Sequence, residues 1–290
     1  MLLVLGSGGQ IGRTLVERCG PAGLGLDRAA CDVTDNAAVI RALSLPMLTA
    51  VVNCAAYTAV DRAETETGLA YAVNADGAAN VAHAAARRDL PVIHLSTDYV
   101  YAGTTAGPQH EDEPIAPCNV YGASKAAGDA AVMAATPAHV VLRVSWVFGV
   151  HGSNFVKTML RLGRERGELR VVADQKGGPT EARDIADAIL AIADACRRPS
   201  FTGWGTYHFS GTPATSWHGF ARAIFAQARD RAPLLVPIHA RDYPLPATRP
   251  LNSTLDCSRL RRVFGVGQPE WRVSLARVMA ELGEASGCAE

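Results

Sequence analysis

No run of apolar residues in this chain approaches the roughly eighteen that a membrane-spanning helix needs. The opening residues Met1–Leu5 are apolar, but they are too few for the core of a secretory signal and have no basic flank, so a cytoplasmic protein is expected. Neither sign of charge is in excess, with 28 Lys and Arg against 28 Asp and Glu. There is no basic stripe and no interleaving of aromatic with basic residues, so the electrostatic footprint of a nucleic-acid binder is missing. No Cys-x-x-Cys or paired Cys/His spacing occurs. The seven cysteines (Cys19, Cys31, Cys54, Cys118, Cys196, Cys257, Cys288) are scattered and odd in number, which argues against a disulfide framework or a zinc site and for reduced thiols. Cys54 and Cys118 fall near the motifs below, but neither has the base and orienting group that a nucleophile needs, and both are read as packing. Internal repeats, low-complexity tracts and a clear linker are absent too.

Lysine is scarce, with only three in the chain. One of them closes Tyr121-Gly-Ala-Ser-Lys125, where a four-residue spacing sets a phenol and an ammonium one helical turn apart on one face. A free tyrosine has a pKa of about 10 and does little proton transfer near neutrality. A fixed positive charge nearby favours phenolate, lowers that value, and makes Tyr121 a general acid or base. The motif alone also fits an ordinary surface helix, so its context decides.

The N-terminus supplies that context. The apolar run ending at Leu5 leads into Gly6-Ser-Gly-Gly9-Gln-Ile-Gly12 and then a helical pattern, which reads as strand, glycine turn, helix. Glycines let the backbone approach a pyrophosphate, and the free N–H groups opening the helix favour its charge. An acid follows at a strand end, Asp27, where a dinucleotide's ribose is expected. Apolar runs at Leu2–Leu5, Leu24–Asp27, Ala50–Asn53, Pro91–Leu95 and His139–Arg143 read as strands, alternating with helices near 10–19, 37–43, 67–87 and 119–133. That alternation predicts an α/β fold with a doubly wound parallel sheet of Rossmann type.

Beyond Ser145 the alternation loosens: helices near 154–166, 181–196 and 217–229, a strand near 169–172, and an irregular Gly/Trp/Pro/Thr-rich stretch over 199–215. The expected organisation is a nucleotide-binding domain over 1–147, to which about 168–198 returns, and a smaller, discontinuous substrate-binding domain mainly within 148–290. Directly after the fourth strand stand Thr97 and Asp98, at the carboxyl edge where parallel sheets bind ligands. The Thr97 hydroxyl there can donate to a carbonyl oxygen, or bond its own turn.

These residues resemble the extended short-chain dehydrogenase/reductases, whose catalytic residues Thr97, Tyr121 and Lys125 match. Further segments, namely Asn53–Asp61, Ser96–Gly103, Asn119–Lys125, Arg143–Phe148, Asn154–Met159, Asp174–Thr180 and Arg249–Ser253, follow in order the motif series of the dTDP-4-dehydrorhamnose reductase family. The resemblance implies hydride transfer from NADPH or NADH to the C4 ketone of a dTDP-4-keto-6-deoxy sugar. Tyr121 would donate the proton, Thr97 would orient the carbonyl, and Lys125 would tune Tyr121 and hold the nicotinamide ribose. Asp98, Trp146 and Arg249 match substrate-contacting positions, with the Trp146 indole packing a deoxysugar face. On the cofactor side the match covers Gly6, Gly9, Gln10, Ile11 and Gly12 at the pyrophosphate, Asp27, Asp32 and Val33 around the adenosine, and Ala56, Tyr57 and Thr58 farther along. Asp27 favours NADH, while Arg28 beside it suits the 2′-phosphate of NADPH. Resemblance alone implies a homodimer and, for some relatives, Mg2+, although the sequence has no compact carboxylate cluster.

Glu113, Tyr101 and Ala102 depart from the family pattern at positions outside the triad. Two other readings share the fold. A 4,6-dehydratase needs an acid where Tyr99 stands, and a non-catalytic regulatory subunit predicts erosion of a triad that is intact here.

Overall fold

Leu2–Leu5 (β1) is a strand buried along its whole length, as an apolar run must be when helices cover both faces of a parallel sheet. The computed structural model describes residues 1–230 and 232–285; Cys288 lies outside the described residues. β1 pairs in parallel with β2 (Gly23–Leu26) on one side and β3 (Ala50–Asn53) on the other. β4 (Val92–Thr97), β5 (His139–Val144) and β6 (Gly205–Phe209) continue outward from β3, giving the order β6-β5-β4-β3-β1-β2. The direction of winding reverses between β1 and β3, and the crevice outside the carboxyl ends at such a reversal is where open α/β sheets take ligands.

Alternate residues of β1 feed opposite layers. Leu2 and Val4 join Ile185, Ile189 and Ile192 of a helix Ala182–Cys196, while Leu3 and Leu5 join Val39, Leu43, Val81 and Val132. Full burial of each such side chain contributes about 1.5–3 kcal/mol. The helices behind these layers are α1 (Gln10–Cys19), α2 (Asn36–Leu43), α3 (Gly77–Ala86) and α4 (Val120–Ala135). A third core lies apart from the sheet, where Phe148, Leu160, Leu169, Phe220, Trp271 and Leu275 pack together. It is built from α5 (Phe155–Glu165), α7 (Trp217–Gln227) and α8 (Trp271–Glu281), the helix Ala182–Cys196 being α6.

Three differences from the sequence reading have physical causes. The single helix expected over 67–87 is interrupted: Thr67–Tyr71 leads into one wide π turn, Ala72–Asp76, before α3. The wide turn swings Asn74 inward, where it accepts from Tyr57 N–H and donates to Ser124 Oγ at 2.8 and 2.9 Å. The stretch expected to be irregular over 199–215 contains β6, whose Tyr207, His208 and Phe209 are buried against β5; flanking glycine, tryptophan and proline hide the strand in the sequence. Finally, Glu168–Val172 does not return to the main sheet. Its exposure alternates, and it pairs in parallel with Leu234–Ile238 over the third core. The chain rejoins the first unit at α6 and stays there through β6, over 182–209 rather than 168–198, and Leu260 of the helix Ser258–Phe264 later packs into the same core.

Candidate active site

β1 stops at Leu5 and the chain reverses at Gly6, whose φ of 76° belongs to the left-handed region that favours glycine. A Cβ there would also overlap the backbone of Ala55. The Gly6 and Ser7 N–H groups donate to Leu26 O, locking the turn to β2, and α1 starts at Gln10 without a side-chain cap on its first N–H groups. Uncapped N–H donors at the head of a helix are an anion cradle.

At the next carboxyl edge, β4 ends at Thr97 and gives way to a single 3-10 turn, Asp98–Val100. Thr97 Oγ1 accepts from Tyr99 N–H and donates to Asp98 Oδ1, each at 3.2 Å, so the hydroxyl caps its own turn while lining the cleft. Burial drives the Asp98 carboxyl up to about 7, against hydrogen bonds from Ser253 and Thr97. Helix α4 is capped by Asn119, which accepts from Gly122 N–H at 2.7 Å and donates to Thr248 O. Gly122 lets the first turn of α4 press onto Tyr99, since a Cβ would overlap the Tyr99 carbonyl oxygen. The Tyr121 ring consequently meets the Tyr99 ring edge-on, with centroids 5.8 Å apart.

Lys125 follows one turn later and is only 2% exposed. Its Nζ donates to Leu95 O at 2.6 Å and lies 3.2 Å from His94 Nε2. Burial lowers the ammonium to about 8, opposed by the Asp129 carboxylate. The expectation that Lys125 lowers the Tyr121 pKa is corrected here. Burial raises the Tyr121 phenol above its ordinary value; the Thr97 hydroxyl opposes this, and Asp98 and Asp129 push it further up. Such a phenol is fully protonated at neutral pH, the form a proton donor needs.

Gly9, Gln10, Ile11, Gly12, Ala56 and Thr58 line one side of a cleft of about 600 Å³, and Thr97, Asp98, Tyr121, Lys125 and Trp146 line the other. An adjoining hollow of about 250 Å³ is bordered by Gly6, Gly9, Arg28, Asp32, Val33, Ala56 and Tyr57. Two expected residues border neither. Asp27 Oδ1 accepts from Ala30 N–H and shapes its own turn. Arg249 forks onto Asp61 at 2.7 and 3.0 Å, because Asp61 also accepts from Ala247 N–H and draws that loop onto the 60–63 helix.

Trp146 lines the cleft, but not with a free ring face. A Cβ on Gly177 would overlap the indole from one side, and the Trp217 indole stacks on it with centroids 3.5 Å apart and planes within 7°. Trp217, tilted against Phe155 in turn, is a cleft residue that sequence reasoning missed. Its one local signal is Ser216, which caps α7 by accepting from Gly219 N–H. His94 and Asp129 were missed as well, as a histidine inside a strand and an acid within an alanine-rich helix. Among the described residues, no group of three or more His, Cys, Asp or Glu side chains is placed to hold a metal ion.

A glycine turn and a Tyr-x-x-x-Lys pair facing each other across the switch-point cleft of a parallel sheet define a short-chain dehydrogenase/reductase of the extended type. The family model described as RmlD substrate binding domain matches residues 1–284. The chain is 41% identical over 288 residues to the dTDP-4-dehydrorhamnose reductase of Aggregatibacter actinomycetemcomitans, covering 96% of this chain and 98% of that one. It is 42% identical over 284 residues to that of Sinorhizobium fredii, covering 96% of each. Among solved structures, the dTDP-4-dehydrorhamnose reductase of Clostridium acetobutylicum superposes with a TM-score of 0.91 at 34% identity, covering 97% of this chain and 99% of that one. That of Bacillus anthracis, in complex with NADP, gives 0.90 at 36% identity, covering 97% and 98%. The chain belongs to the dTDP-4-dehydrorhamnose reductase family.

Proposed function

We propose that this protein reduces the C4 ketone of dTDP-4-dehydro-beta-L-rhamnose to dTDP-beta-L-rhamnose with a reduced nicotinamide cofactor, in the cytoplasm, supplying rhamnose for cell-surface polysaccharide. The observation that carries this reading is that Thr97, Tyr121 and Lys125 line the same cleft as the glycine turn. The glycine turn fits a pyrophosphate, because a side chain at Gly6 would collide with Ala55 and the first N–H groups of α1 are uncapped.

When bound, NAD(P)H supplies the hydride to C4. Tyr121, held protonated by its buried setting, gives its phenolic proton to the alkoxide oxygen forming there. The Thr97 hydroxyl orients that oxygen before transfer, exchanging its bond to Asp98 for one to the ketone. Lys125 carries positive charge below about pH 8 and holds the nicotinamide ribose. Asp98 and Trp146, which line the same cleft, are the groups this reading assigns to the sugar.

For the cofactor we favour NADPH. Arg28 borders the smaller hollow, whereas Asp27, the residue that would select a free 2′-OH, does not. The test is oxidation of NADPH and of NADH with enzymatically prepared dTDP-4-dehydrorhamnose, followed by absorbance, with the product identified by NMR. Formation of dTDP-L-rhamnose, with a lower KM for NADPH that rises in R28A, is the expected outcome. Cofactor binding without turnover of this sugar would overturn the substrate assignment.

A further inference from the structure

If Lys125 is to hold a ribose, its ammonium must keep its charge although buried and must aim its free N–H groups outward. Tyr-x-x-x-Lys spacing by itself provides neither. The surrounding hydrogen bonds do. Asn53 Oδ1 accepts from Ala55 N–H at 3.1 Å, so its amide nitrogen is the atom 3.2 Å from His94 Nδ1. That nitrogen donates, so His94 accepts at Nδ1 and bears its proton on Nε2. Burial keeps the ring neutral. Nε2–H therefore faces the Lys125 ammonium as a second donor, and the carboxylate oxygen on that side is Asp129 Oδ1, 3.7 Å away, beyond hydrogen-bond length and itself without a partner.

Burial pushes the Asp129 carboxyl up, and the Arg143 guanidinium behind it and the Lys125 ammonium oppose this by favouring its charge. Asp129 Oδ2 accepts from Arg143 Nε at 3.1 Å, Arg143 Nη1 donates to the Tyr101 hydroxyl at 2.6 Å, and that hydroxyl donates to His208 Nε2 at 2.7 Å. The His208 ring is oriented to accept, because its Nδ1–H donates to Gln109 O. Tyr101, one of the departures from the family pattern, thus fixes the far end of a buried chain that ends at Lys125.

We propose that Asp129 and His94 are positioning residues for Lys125: Asp129 is the counter-ion of the buried ammonium, and His94, a donor on that side, leaves two ammonium N–H groups for the cleft. This rests on the reading of Lys125 given above. The groups facing Lys125 are Asp129 and Tyr121 from α4, His94 from β4, Arg143 from β5 behind Asp129, and Cys54 after β3. The Cys54 thiol, pushed by burial up to about 12, is neutral, as is Tyr121, so Asp129 is the one negative charge acting on the ammonium.

The chain's three lysines make the test direct. In the full-length protein labelled with 13Cε-lysine, the Lys125 resonance should titrate near 8. D129N should lower that midpoint by about one pH unit or more, and the alkaline limb of kcat/KM should fall with it. An unmoved midpoint in folded D129N overturns the proposal. Should D129N fail to fold, because it leaves Arg143 without its carboxylate, H94Q decides. Its amide oxygen gives the ammonium an acceptor, so the midpoint should rise and the cofactor KM should increase several-fold; a midpoint unchanged or lowered overturns the proposal. The titration needs neither cofactor nor substrate, so a wild type that fails to turn over would refute the functional reading alone.

Discussion

The indole of Trp146 lies parallel to that of Trp217, their centroids 3.5 Å apart, with Gly177 against its other side. Trp146 is held with a φ of 46°, a strained value for a bulky residue. Its carbonyl accepts from Thr180 N–H, and the two flanking contacts close over the ring. The cleft therefore meets the edge of this indole, and Trp217 is what keeps the edge presented.

Removing Trp217 should be felt at the sugar and not at the cofactor. W217A is expected to raise the KM for the sugar nucleotide by up to about 10-fold, the scale of one lost aromatic stack, with NADPH binding unchanged. Stopped-flow or steady-state kinetics with each substrate varied in turn will separate the two. Equal effects on both would mean that Trp217 supports the whole cleft.

Y121F keeps the ring and its edge-on contact with Tyr99 while removing the proton donor. Turnover should fall by about 10²–10⁴-fold, while dissociation of NADPH, measured by fluorescence, changes little. Activity close to wild type in this variant would exclude Tyr121 as the acid.

Much of this arrangement is legible in the sequence because it is local. Strands β1 to β5 read as short apolar runs since both faces of the sheet are covered, and the glycine turn and Tyr121/Lys125 pair act within one or two turns of chain. What escaped depends on distant partners. β6 becomes a strand because Tyr207 and Phe209 find a buried place beside β5, although their neighbours look like a loop. Trp217 matters through Trp146, and Asp129 matters because β4 and β5 bring His94 and Arg143 onto it. Arg249 matched a motif, yet a long-range partner claims its guanidinium.

Asp98 predicts a pH dependence of stability. Its folded pKa, about 7, lies above the unfolded value, so the native state binds the extra proton between roughly pH 4 and 7. Its contribution is fully present below the unfolded pKa and is lost as pH rises through 7, up to about 4 kcal/mol on this scale. D98N, neutral at every pH, should match the wild type in Tm at roughly pH 4 and below and exceed it by several degrees at pH 8. Parallel Tm curves across that range would show that Asp98 titrates normally.

Arg249 and Asp61 supply the last test, because two roles predict different pairs of phenotypes. As an ion pair fastening the 247–249 loop, the two residues should behave as one unit. The guanidinium holds the Asp61 carboxyl below its ordinary value, Arg249 also donates to Ala247 O, and Asp61 accepts from Ala247 N–H. Since Asp61 is more than a third exposed, screening limits the pair to about 1 kcal/mol. R249A and D61A should therefore each lower Tm by a few degrees, and the double variant should lose little more than either. The KM for the sugar nucleotide should shift by a similar small factor in all three. If R249A instead raises that KM at least 10-fold while D61A leaves it unchanged, the guanidinium leaves Asp61 to bind substrate, and the ion pair is its resting position.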